Sequence, residues 1–222
     1  MKKFELTTEF ITNAFGKKLF RIKALVEFGN VKAGELGGYV EKEGNISQGG
    51  NAWVCDDARV YGDAWVCGNA RVYGNARVCG NARVYGNARV YGNARVCDDA
   101  WVSGNARVYG NARVYGNARV CGNAWVCDDA WVSGNARVYG NARVYGDADY
   151  ALVQGFGTEF RCTTFYRGKN KKIMVNCGCF HGDLEEFRKR VKETRNGKIA
   201  KEYLTIADLM EYHFASEDSS DE

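Results

Sequence analysis

From Asn51 to Gly146 the chain repeats one six-residue phrase sixteen times without insertion or deletion: Asn/Asp-Ala-Arg/Trp-Val-Tyr/Cys/Ser-Gly/Asp. Such regularity leaves little choice of fold, because a period this short cannot bury a core within one unit and must stack units on one another. Ala (52, 58 and on to 142) and Val (54, 60 and on to 144) never vary. In a strand, alternate side chains point to opposite faces, so Ala and Val turn inward while Arg/Trp and Tyr/Cys/Ser turn outward. The Gly-Asn pair between strands supplies a turn. Each unit is therefore one short strand and one corner.

The phrase resembles that of the hexapeptide-repeat family. That resemblance implies a mostly β fold, a left-handed parallel β-helix solenoid with three units per triangular coil, and commonly a trimeric assembly. On this reading the sixteen units make about five and a third coils, with strands roughly 4.8 Å apart. Positions 18 apart then stack. One face carries Arg71, Arg89, Arg107 and Trp125 beside Tyr73, Tyr91 and Tyr109; Trp131 belongs to a second face and Trp101 to a third. These nine residues are the candidate binding surface, since guanidinium groups pair with anions and aromatic residues are enriched at binding hot spots. The same Arg and aromatic side chains also solvate a sheet and make cation-π contacts between coils.

Charge limits the choice of partner. Residues 51–149 hold 11 Arg and 9 Asp, a small footprint for nucleic acid. Asp56-Asp57, Asp98-Asp99 and Asp128-Asp129 replace Gly-Asn at three corners and read as turn chemistry rather than a cation site. Residues 96–116 recur as 126–146, a displacement of 30, which is not a multiple of 18; the outer decoration is thus expected to be out of face register. The repeats contain no Thr, which disfavours an ice-binding face.

Catalytic and cofactor readings lack their residues. Resemblance to hexapeptide-repeat acyltransferases would require a histidine base at a coil edge, and the carbonic anhydrases of this fold need three histidine ligands. The repeats contain none: His181 and His213 both lie beyond them. No cofactor is expected. Cys162, Cys177, Cys179 and His181 form the one cluster of ligand type, but a single residue between Cys177 and Cys179 is tighter than usual for zinc, and strand alternation explains the pair without a metal. Six other cysteines (55, 67, 79, 97, 121 and 127) occupy the outward Tyr position and are expected as reduced, exposed substitutions for Tyr, although Cys79 and Cys97 would stack. No run of 18 apolar residues suggests a membrane span.

The ends differ from the middle. Residues 1–38 read as an N-terminal β cap with strands at Phe4–Phe10 and Lys18–Val26, and 39–149 as the β-helix, in which Val40 and Ile46, in phase with Ala52, form a degenerate first coil. Residues 150–215 read as a small α+β cap domain. Its strands are expected at Ala151–Val153, Arg161–Arg167 and Lys172–Cys177, with a turn over 168–171. Asp183 would cap one helix, and a second would run from Ile199 to Phe214. Residues 216–222, SEDSSDE, read as a disordered acidic tail.

The entry FELTTEF...GKKLFRIKALVEFGNVKAGELGGYVEKEGNISQGGNAWV and the exit TTFYRGKNKKIMVNCGCFHGDLEEFRKRVKET...AKEYL resemble small hexapeptide-repeat proteins encoded in phages and prophages of bacteria. The resemblance implies a setting, the cytoplasm of an infected bacterial host, and no catalytic residue. The expectation is a non-enzymatic phage protein that binds a host protein or an anionic host ligand, as a counter-defence inhibitor or sponge. The alternatives are a virion or assembly component and a diverged acyltransferase.

Overall fold

The computed structural model describes residues 2–146, 149–158, 160–168 and 172–215. The acidic tail, most of the turn at 168–171 and the end of the repeat pattern at Asp147-Ala148 lie outside them. An antiparallel hairpin, β1 (Phe4–Thr12) and β2 (Lys18–Ala24), leads to β3 (Leu36–Val40). Sixteen two-residue strands follow, from β4 (Trp53–Val54) to β19 (Arg143–Val144), one per unit. They pair in parallel 18 residues apart: Trp53 with Arg71, Arg59 with Arg77, and Trp65 with Arg83. The result is a three-sided parallel β-solenoid of about six coils.

All sixteen Val and sixteen Ala of the units are buried. Each Val contributes on the order of 1.5–3 kcal/mol by leaving water, so the interior is a continuous column of small contributions rather than one centre. Outside the sheets, corner asparagines form a second ladder. Asn51, Asn69, Asn87 and Asn105 each donate from Nδ2 to Oδ1 of the asparagine one coil on, at 3.0–3.1 Å. Stacked amides of this kind stabilise in-register parallel strands.

From Gly62 to Gly140 every corner Gly of the units sits at positive φ, and where Asp replaces it, at Asp56, Asp98 and Asp128, φ remains 54–60°. Asp tolerates that conformation better than most residues. Its carboxylate also adds a bond: Asp56 accepts from the Gly74 N–H at 2.9 Å and Asp98 from the Gly116 N–H at 3.1 Å. The first two paired-Asp corners thus act as turns that clamp the next coil.

Both ends are plugged. In the middle of the solenoid an Ala carbonyl accepts from the preceding coil, as Ala70 does from Trp53 N–H. Ala52 and Ala64 instead accept from the Lys3 ammonium and the Asn45 amide, both at 2.9 Å. Phe4, Phe28 and Trp53 close the apolar end edge to face. Trp53, which the repeat places outward, is buried beneath this plug. Val40 and Ile46 do form the first coil, but they stack on Val60 and Val66, 20 residues on and in the Val column rather than in phase with Ala52. The two extra residues lie in the stretch between Ile46 and Trp53.

Beyond the last coil, β20 (Tyr150–Phe156), β21 (Arg161–Arg167), β22 (Ile173–Cys177) and β23 (Phe180–Asp183) form an antiparallel sheet, covered by α1 (Leu184–Thr194) and α2 (Gly197–Phe214). β23 is absent from the sequence reading. Its FHGD segment has no apolar alternation, and a tight turn at Gly178-Cys179 folds it back on β22. Asp183 and Glu186 form a reciprocal capping box at the start of α1. The sheet sits on the solenoid through polar bonds. Thr164 accepts from Arg137 N–H at 3.0 Å, Asn176 donates to the Arg137 carbonyl at 2.7 Å, and buried Tyr166 donates to the Tyr139 carbonyl at 3.1 Å. No helix among the described residues is long and apolar enough to cross a membrane.

Candidate functional site

Seven of the nine candidate residues share one face. Arg71 pairs with Arg89, Arg89 with Arg107, and Arg107 with Trp125 along consecutive rungs. Beside them Tyr73, Tyr91 and Tyr109 stack in parallel, with ring centroids 4.8 and 4.9 Å apart and planes within 4° of each other. Here the sequence expectation of scrambled decoration needs correction. Units 69–74, 87–92 and 105–110 are identical and fall on successive coils of this face, so asparagine, arginine and tyrosine run in three registered rows. Neither other face carries the same Arg-Tyr pair on three consecutive rungs. Trp131 and Trp101 lie on those other faces, apart from the rows.

Three of the five tryptophans serve the arginines. Trp101 lies between Arg83 at 5.4 Å and Arg119 at 4.6 Å; Trp125 lies between Arg107 at 5.0 Å and Arg143 at 3.9 Å; Trp131 faces Arg113 at 5.5 Å. Each such contact offsets part of the repulsion between stacked guanidinium groups. Among the described residues Arg71, although its rung neighbour is Trp53, and Arg89 make no cation-π contact with an indole, and no solenoid arginine is paired with a carboxylate. The acidic groups of the repeats stand at the corners, which leaves the centre of the face positive.

Stacking also decides what the tyrosines offer. Tyr91 has a ring on both faces, so its edge and hydroxyl remain for recognition. Burial raises the phenol pKa of Tyr73, Tyr91 and Tyr109, and at Tyr109 a hydrogen bond with Cys127 adds to it. All three are neutral donors at neutral pH.

The cysteines depart from expectation. Adjacent rungs hold the Cα atoms of Cys79 and Cys97 4.6 Å apart, inside the usual range for a disulfide, and the two are bonded. The pair is therefore not reduced, and the parallel register that looked demanding is what brings it together. Cys97 and Cys127 are buried rather than exposed, and burial pushes the Cys55 thiol up to about 11.

The ligand-type cluster of the C-terminal domain is dispersed. Cys162 lies 3.5 Å from the Asn135 carbonyl on the solenoid side, while Cys177 accepts from Thr163 Oγ1 at 3.2 Å. Cys179 is exposed in the β22–β23 turn, not in a strand with Cys177. Among the described residues no group of three or more His, Cys, Asp or Glu is arranged to hold a metal. His181, distant from the repeats in sequence, folds back on the last coil. Its Nδ1 is 2.6 Å from Asn176 Oδ1, and its Nε2 would lie 3.0 Å from a Cβ at Gly140.

A family model described as YdcK Beta solenoid repeat matches residues 52–68, 64–80, 76–92, 82–98, 88–104, 100–116, 106–122, 112–128 and 136–148. Every match falls in the solenoid and none in either cap. With the parallel pairing above, the matches make this a repeat β-solenoid protein. A search of curated proteins finds no match.

Proposed function

We propose that the chain is a non-enzymatic binding protein that holds an acidic host protein on the face of Arg71, Arg89 and Arg107. The observation that carries this is the registered arginine row without carboxylate partners, beside a closed stack of tyrosines. Three guanidinium groups at rung spacing suit a surface of clustered carboxylates. Nucleic acid is the poorer fit, because single-stranded bases need open aromatic faces to stack on, and both faces of Tyr91 are occupied. The likeness of the two ends to phage-borne solenoids supports a host target and a counter-defence role.

The test is capture from a host extract by the wild-type chain and by a variant with Arg71, Arg89 and Arg107 all changed to Glu. The wild type is expected to retain an acidic protein that the variant releases, and salt is expected to weaken the capture. Equal capture by a variant that unfolds at the wild-type temperature, or no capture by either, overturns the reading.

A further inference from the structure

A second place in the molecule has the makings of a ligand site, independent of the solenoid face. Between the β22–β23 turn and the two helices lies a cavity of about 180 Å³, walled by Phe180, Phe187 and Tyr203 and rimmed by Cys177, Arg190 and Arg195. Its wall is already ordered. The Phe187 ring centroid lies 5.5 Å from that of Phe180 and 5.8 Å from that of Tyr203. Arg190 projects from α1 and Arg195 follows its end, and among the described residues neither is paired with a carboxylate. The α1 terminus would repel an anion through its free carbonyls. Two of those are answered from within, since Arg195 N–H donates to the Val191 carbonyl and Arg195 Nη1 to the Thr194 carbonyl.

We infer that this cavity binds a small aryl oxyanion, a single aromatic ring bearing a carboxylate or phosphate, with the ring against Phe180, Phe187 and Tyr203 and the anion on Arg190 and Arg195. Size argues for one ring: the cavity is smaller than the roughly 300–1,000 Å³ that accommodates drug-sized ligands. Chemistry argues for the pairing. Aromatic walls favour another ring edge to face, and a guanidinium group favours the planar or tetrahedral oxyanion it can bridge with two N–H bonds. Neither half suffices alone, because a bare anion leaves the ring wall dry and a neutral ring leaves the guanidinium groups unanswered.

Calorimetric titration of the full chain with phenyl phosphate, benzoate, inorganic phosphate and benzyl alcohol tests this. One of the two aryl anions is expected to bind one to one, with inorganic phosphate and benzyl alcohol each at least about tenfold weaker. The Arg190→Gln variant, altered at an exposed helical position, and the Arg190→Gln/Arg195→Gln variant are expected to lose roughly 10- to 100-fold, the worth of a charge-assisted hydrogen bond. Absence of aryl-anion binding at millimolar concentration overturns the inference. So does benzyl alcohol binding as tightly as the anions, or wild-type affinity in Arg190→Gln. Neither result bears on the arginine row, which these probes leave untouched.

Discussion

A single Cβ separates tolerated from ruinous substitutions at the corners. Gly110 and Gly134 share a left-handed backbone, at φ of 69° and 64°. A Cβ at Gly134 meets nothing within 4 Å, whereas at Gly110 it would lie 2.7 Å from the Asp128 backbone nitrogen. Gly134→Ala should therefore cost only the left-handed strain, about 1–2 kcal/mol, and Gly110→Ala distinctly more. Comparing the two denaturation midpoints checks the order. The thiols give a second test. With Cys79 and Cys97 bonded, a denatured, unreduced sample should titrate seven of its nine cysteines, and reductant should bring the count to nine. Closing a loop of this length is worth about 3 kcal/mol in the chain-entropy picture, so reduction should also lower the unfolding midpoint.

At the scale of elements, the plugs depend on side chains that reach backbone groups. Lys3 is the clearest case. It is buried with its Nζ on the Gly50 and Ala52 carbonyls, and burial lowers its pKa from 10.5 to about 8. A neutral amine still donates both bonds. Between the two values the unfolded chain holds the proton that the folded chain has lost, so this residue makes stability rise with pH from about 8 towards 10.5. Below that window the cost of burying the charge is paid in full. Relative to Lys3→Met, the wild type should gain stability as pH is raised from about 8 to 10, and a flat difference between the two would refute the assignment.

What could be read from the sequence divides along the same line between elements and ends. Unit period and inward Ala and Val were legible because each depends only on positions repeated along the chain; the 18-residue stacking of rungs 53–144 followed from the resemblance to hexapeptide-repeat proteins, and the 20-residue offset of the first coil was not legible. The Asp183 cap, which is a local four-residue signal, was legible. Burial of Trp53 was not, because it depends on a hairpin about 40 residues earlier closing over one particular rung. β23 was hidden for a similar reason: Phe180–Asp183 is a strand only because β22 offers it a partner. At the candidate face, the seven residues and their neighbours were legible. The closed tyrosine stack was not, since ring orientation follows from packing between coils.

For the whole molecule, decoration and fold are separable. Excising residues 75–80 removes one unit and leaves the period intact, so the chain should still fold into a solenoid with both caps. Everything after the cut turns onto the next face. Tyr73 would then stack on Cys97 instead of Tyr91, and the three-rung row would be lost. Circular dichroism should remain of β type while capture of the acidic partner fails; if capture survives, the rows are not the site.

The plugs have a further meaning once the parallel pairing is taken into account. An open coil of this kind is a directional coupler: the bottom of one copy restores the register only with the top of another, and the operation never closes on itself. A chain cut down to residues 39–146 would thus be a polymer subunit, adding end to end into rods about as wide as one prism. Electron microscopy of that truncation, beside the full chain, would show whether the hairpin and the C-terminal sheet act as chain terminators for a molecule otherwise suited to polymerise.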